Sequence, residues 1–142
     1  MDKVWMHYWM EAHRNDFRNQ TVRNAKRVVI AGVFPEDVRE LTFAVRYLSN
    51  IEVAILPTEW FSEREVSMLI YAWMAGERDV GASCWIGLKD EQSARDALKF
   101  VTVWNDNAKR TKRCITIKRA ESTKIEIFYV PFGRPVNDVY AE

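Results

Sequence analysis

The chain has 142 residues, 48% of them hydrophobic and 29% charged, with 21 Lys and Arg set against 20 Asp and Glu. That length suits one domain able to bury roughly 70% of the surface its unfolded chain exposes, and ordinary apolar content with a net charge of +1 excludes disorder as the main state. Balanced charge argues against whole-molecule steering toward nucleic acid, so any basic surface is local, and two cysteines are too few for a disulfide scaffold or a four-thiolate zinc site.

The opening Met1-Asp2-Lys3 lacks the charged-then-apolar run of a secretory leader, and the longest apolar stretch, Met68 to Ala75, is too short to span a bilayer. The expectation is an intracellular chain, nuclear or cytoplasmic, without a membrane partner. From Val4 to about Asn24, Trp5, Tyr8 and Trp9 recur at helical spacing, predicting a helix with one aromatic face beside Arg14, Arg18 and Arg23. Arg27 to Val33 is β-branched at Val28, Val29 and Ile30 and reads as a strand.

Asp37 with Glu40 has the form of a capping box, followed by Val38, Leu41, Val45 and Leu48 on one helical face, with Asn50 as the stop. Ile51, Val53 and Ile55 alternate with Glu52 and Ala54, the period of a half-buried strand. Ser62 to Ala75 is a helix with Ser62 as N-cap, Gly76 beyond its end, and Val66, Leu69, Ile70 and Trp73 inward. Ser83 to Leu88 is the next strand. Asp90 then caps a helix with Ala94, Ala97, Leu98 and Val101 on one face. Lys109 to Arg113 reads as a basic loop, Arg113 to Arg119 as a strand, and Lys124 to Val130 as its hairpin partner.

This order predicts an α+β fold: a ferredoxin-like βαββαβ sandwich with an N-terminal helix, an inserted helix between the second and third strands, and an extra C-terminal strand. The expected organisation is a helical extension over 1–25, a central domain over 26–121 with a helical insertion at 57–80, and a C-terminal strand and tail over 122–142. Alternation within the strands leaves one sheet face packed on helices and the other open.

At Arg27-Val-Val-Ile-Ala-Gly-Val-Phe-Pro-Glu-Asp-Val and at Cys84-Trp-Ile-Gly-Leu-Lys-Asp-Glu-Gln-Ser-Ala-Arg-Asp-Ala-Leu98 the chain resembles the RNA recognition motif family, over about Lys26 to Glu121. The first stretch is similar to that family's first strand and turn, the second to its third strand and second helix. The resemblance implies single-stranded RNA as ligand, stacked on strand aromatics and held by cations at the sheet edge. Trp85 occupies an outward, stacking position. Val29 and Ser83 stand where the other two aromatics are expected, which removes about 2–6 kcal/mol of stacking.

Two readings follow. One is a non-catalytic RNA-binding module using Trp85 and the cations Lys109, Arg110, Lys112, Arg113, Lys118 and Arg119. The other is a protein-interaction module, a homodimer or a ribonucleoprotein subunit, using the apolar face of Val29, Ala31, Ala54 and Trp85. The segment containing Trp60, Phe61, Tyr71 and Trp73 reads as core before contact surface. His7 and His13 have no cluster of ligands beside them, so no metal is expected, and no cofactor motif or nucleophile–base pair points to catalysis. Cys84 and Cys114 are expected reduced, as neighbours across adjacent strands at most.

Overall fold

Every strand of the larger sheet runs in the same direction. The computed structural model describes residues 3–7, 19–103, 108–111, 114–118 and 123–130, and the chain divides into two units, 1–87 and 88–142. The first unit contains β1 (Lys3–His7), α1 (Gln20–Asn24), β2 (Arg27–Val33), a 3-10 turn (Pro35–Asp37), α2 (Val38–Tyr47), β3 (Glu52–Pro57), α3 (Glu63–Ala75) and β4 (Ser83–Ile86). Its sheet has the order β1-β2-β3-β4, with each neighbouring pair parallel.

The expectation of helices and strands in an α+β chain holds, and the ferredoxin-like strand pairing is corrected. That plan joins its second and third strands by a direct turn and pairs strands antiparallel. Here the helix read as an insertion, α3, is the crossover from β3 to β4. A parallel pair needs such a connection because the chain must return to the same end of the sheet before the next strand begins. Lys3–His7 is also a strand rather than the start of a helix. Pairing with β2 from Lys3↔Arg27 to His7↔Ala31 overrides the helical spacing of Trp5, Tyr8 and Trp9, and Val4 and Trp5 suit a ladder. The segment carrying Tyr8, Trp9, Arg14 and Phe17 lies outside the described residues.

Crossovers of this kind are right-handed in nearly all proteins, which sets α2 and α3 on one sheet face. Burial agrees. The two helices pack on each other, and Leu41, Val45, Leu48, Val66 and Leu69 are buried beside Val28, Ile30, Val53 and Ile55. Each such side chain contributes about 1.5–3 kcal/mol through removal from water. Ser62 caps α3 as expected: its hydroxyl accepts from the Glu65 amide (3.2 Å) while Glu65 Oε1 accepts from the Ser62 amide (2.8 Å). Asp37 works in the other direction. Its carboxylate accepts from the Phe34 amide (3.1 Å), holding the 3-10 turn, and makes no side-chain cap to α2.

Asn50 ends the α2 segment and is buried. Its Nδ2 donates to the carbonyls of Val22 (2.8 Å) and Ala25 (2.6 Å), tying the end of α1 to the start of β3. At the C-terminal ends of α2 and α3, Arg78 reaches the last carbonyls of both helices. Nε donates to Trp73 (2.8 Å), Nη2 to Val45 (2.6 Å) and Nη1 to Leu48. Val45 and Leu48 offer carbonyls of the kind a helix C-terminus leaves without backbone partners, whereas the Trp73 carbonyl also accepts from the Gly76 amide (3.3 Å).

The second unit contains α4 (Glu91–Val103) and an antiparallel sheet of β5 (Ala108–Arg110), β6 (Cys114–Lys118) and β7 (Lys124–Phe128), in the order β5-β6-β7. Ala94, Ala97, Leu98 and Val101 of α4 are buried as expected, and α4 packs on β6, where Ile115 and Ile117 are buried. Asp90 caps this helix by accepting from the Ser93 amide (2.8 Å). The basic loop is corrected in part: Ala108–Arg110 forms a strand on β6, and the Thr111 amide donates to the Cys114 carbonyl (2.9 Å) at the connection. No helix among the described residues is long and apolar enough to cross a membrane.

Candidate binding surfaces

Alternation places Arg27, Val29 and Ala31 of β2, Glu52, Ala54 and Leu56 of β3, and Ser83 and Trp85 of β4 on the sheet face opposite α2 and α3. Parallel register then lines them up, with Val29 beside Ala54 and Ala54 beside Trp85. The four apolar residues expected on one face are therefore on one face. Their exposure is uneven: Val29 is 6% exposed and Trp85 42%, with Ala31 and Ala54 half-buried.

Leu56, 43% exposed, belongs to the same face, and the sequence reading missed it. Its signal was the continuation of the Ala54 alternation by one more step. The Trp85 indole N–H donates to Ser83 Oγ (3.2 Å), which tethers the ring along its own strand. Arg27 Nε lies 3.4 Å from Glu52 Oε2, so the cation of this face is already neutralised by its neighbour in the ladder.

The side chain of Cys84 faces the helices. Burial pushes its thiol up to about 12, opposed by the nearby Arg78 guanidinium, so it stays protonated at neutral pH and is a poor nucleophile. Cys114 sits on β6 in the other sheet, so the two cysteines do not neighbour each other across adjacent strands. Both are free thiols, and burial raises Cys114 as well.

Of the cations expected to meet phosphate, the described ones divide between the two faces of the smaller sheet. Lys109 and Lys118 are exposed and share a face of the smaller sheet with Thr116, Lys124 and Glu126. Lys124 Nζ is held by Glu126 Oε1 at 2.9 Å. Arg110 pairs with Ile115 in the ladder, one step out of phase with Lys109, and so points to the other side. Lys112, Arg113 and Arg119 lie outside the described residues. These cations belong to the second unit and Trp85 to the first.

Of the aromatic segment expected as core, Phe61 is buried at 5% and Trp60 is 53% exposed. Trp73 is half-buried beneath the Arg78 guanidinium, 5.2 Å from its ring centre. A second-unit cluster joins Tyr129, Glu91 and Arg95. The Tyr129 hydroxyl donates to Glu91 Oε1 (3.1 Å), and Arg95 donates to both Tyr129 Oη (3.4 Å) and Glu91 (3.0 Å). It ties β7's exit to the first turn of α4. His7 ends β1 and His13 lies outside the described residues, among which no group of three metal-ligating side chains gathers. Comparison with family models, with curated proteins and with solved structures returns no match.

Proposed function

We propose that the first unit is a protein-docking module that self-associates through the sheet face centred on Trp85 and Leu56. The observation that carries this reading is an apolar face on a parallel sheet that stays exposed at one side, around Trp85 and Leu56. Parallel sheets bury both faces, and their strands are apolar throughout rather than alternating. β2, Arg27-Val-Val-Ile-Ala-Gly-Val33, has that composition. Yet α2 and α3 serve only one side, and on the other Trp85 and Leu56 keep 42% and 43% of their surface in water.

Trp is the residue most enriched among interface anchors, and small neighbours such as Ala31 and Ala54 give it a flat surround. Covering the rest of the indole removes about 100 Å² of the up to about 250 Å² such a side chain buries, worth about 2–3 kcal/mol. A two-fold pairing would gain this on both copies. Sedimentation velocity across a concentration series tests the reading. The wild type is expected to pass from monomer to dimer, and Trp85→Glu to stay monomeric. A wild type that is monomeric throughout, or a dimer indifferent to Trp85→Glu, overturns it.

A second reading, single-stranded RNA as ligand, is supported by the exposed Lys109 and Lys118 on one sheet face. Binding of phosphate there makes affinity fall with salt, and each phosphate that a lysine neutralises steepens the slope by about 0.7. Titration of labelled RNA with Lys118→Glu and Trp85→Ala, at two salt concentrations, measures it. A weakening of about 1–3 kcal/mol in Trp85→Ala marks base stacking, and no saturable binding removes this reading.

A further inference from the structure

The outer side of the α2–α3 pair is apolar where a helix pair on a sheet is ordinarily polar. Thr42, Phe43 and Arg46 of α2 and Met68, Tyr71 and Ala72 of α3 line a groove of about 330 Å³. Phe43 is 41% exposed and Met68 37%. One helical turn along the same rows stand Arg39 on α2 and Arg64 on α3, neighbours of Phe43 and Met68 at four-residue spacing. Among the described residues, Arg39, Arg46 and Arg64 make no side-chain ion pair. Of the two carboxylates on the first turn of α3, Glu63 and Glu65, the second accepts from the Ser62 amide.

We propose that this groove receives an amphipathic helix of a partner protein, apolar on the stripe that enters between α2 and α3 and carrying carboxylates along its flanks. Three guanidinium groups around an apolar trough, without an ion pair among the described residues, favour an acidic occupant over a basic one and orient it, because bidentate carboxylate pairing suits arginine. The helix-in-groove mode needs an apolar stripe at i, i+3, i+4 and i+7 and a seat of fixed width. Arg78 supplies the second requirement by holding the C-terminal carbonyls of α2 and α3 together. The seat is then formed before the partner arrives, which lowers the ordering cost of binding.

The probes are two labelled synthetic peptides with the same Leu stripe in helical spacing, one flanked by Glu and its twin by Lys, followed by fluorescence anisotropy. The acidic peptide is expected to bind at least about tenfold more tightly than the basic one, with the preference weakening as salt rises. Met68→Glu, at an exposed position that leaves the helix intact by circular dichroism, is expected to abolish binding. Arg46→Glu is expected to shift the preference toward the Lys peptide, and Trp85→Ala to change neither. Equal affinity for the two peptides, no binding of either, or binding indifferent to Met68→Glu overturns the proposal. A wild-type dimer dissolved by Met68→Glu would assign the groove to a second copy and overturn it too.

Discussion

Replacing Arg78 by Met keeps an unbranched apolar stem of similar bulk while removing the guanidinium. In the native protein that group donates to the carbonyls of Trp73, Val45 and Leu48, lies over the Trp73 ring, and places positive charge where two helix dipoles end negative. A hydrogen bond from a charged donor contributes about 1.5–3 kcal/mol, and stranding a buried acceptor costs a similar amount. Burial lowers the Arg78 pKa, so part of that gain is spent on desolvation, and water reaches the carbonyls once the half-buried side chain is cut back. The expected net destabilisation is about 2–4 kcal/mol, a fall of roughly 10 °C in Tm. Urea unfolding followed by circular dichroism, supported by a thermal melt, measures it. Arg78→Lys keeps the charge but has one nitrogen for three carbonyls, so an intermediate loss is expected. A change below about 0.5 kcal/mol for Arg78→Met, the range of ordinary surface substitutions, refutes the clamp, as does full rescue by Lys.

Gly76→Ala should be destabilising through the same junction, because a Cβ there would stand 2.7 Å from the Arg46 carbonyl oxygen and 2.6 Å from Arg78 Nη2; combining it with Arg78→Met should relieve the second clash but not the first, which a double-mutant cycle reads directly. The Asp90 carboxyl is held below the usual carboxylate range by the Ser93 amide and then by its hydroxyl. A depressed folded-state pKa means its capping contribution is complete above the unfolded value of about 4 and is lost as pH falls through the folded value. Melts along an acid series should therefore show Asp90→Asn converging with the wild type at the acid end. With its thiol pushed up to about 12, Cys84 should be alkylated about a thousandfold more slowly at pH 8 in the native state than in urea, a difference set by thiolate fraction and read by mass spectrometry of the labelled peptide.

Helix boundaries were legible wherever chemistry marks them. Ser62 with Glu65 opens α3 and Gly76 follows its end, as the capping box and stop predict, and Asp90 with the Ala94–Val101 face places α4. The β6–β7 hairpin was readable from two alternating runs a turn apart. Strand direction was not, because a period of two is identical in parallel and antiparallel ladders; the informative feature was the crossover length from β3 to β4, which is too long for a hairpin. The co-facial set Val29, Ala31, Ala54 and Trp85 survives that change of direction, since alternation depends on neither partner nor polarity. Unequal burial along the row was beyond reach, for it depends on what packs over each strand. Arg78 was invisible for a different reason: its acceptors Leu48 and Val45 lie 30 and 33 residues away, and only the folded backbone brings those carbonyls to one point.

The two exposed apolar surfaces of the first unit have different origins in the same topology. Crossovers that all advance in one direction put both larger helices on one side. One layer of helices then presents an outer surface at Phe43 and Met68, and the opposite sheet face leaves Trp85 and Leu56 partly exposed. The sheet and the helix layer stand between the two, a separation at which substitutions ordinarily act independently. Trp85→Glu should therefore change self-association and Met68→Glu peptide affinity, with the double variant showing the sum of both effects. Arg78 is the group through which that independence would fail, because it grips both helices while lying beside Cys84, the strand neighbour of Trp85. If Arg78→Met alters both readouts together, the first unit transmits between its faces through this clamp, and if it lowers stability alone, the two surfaces are separate devices on one scaffold.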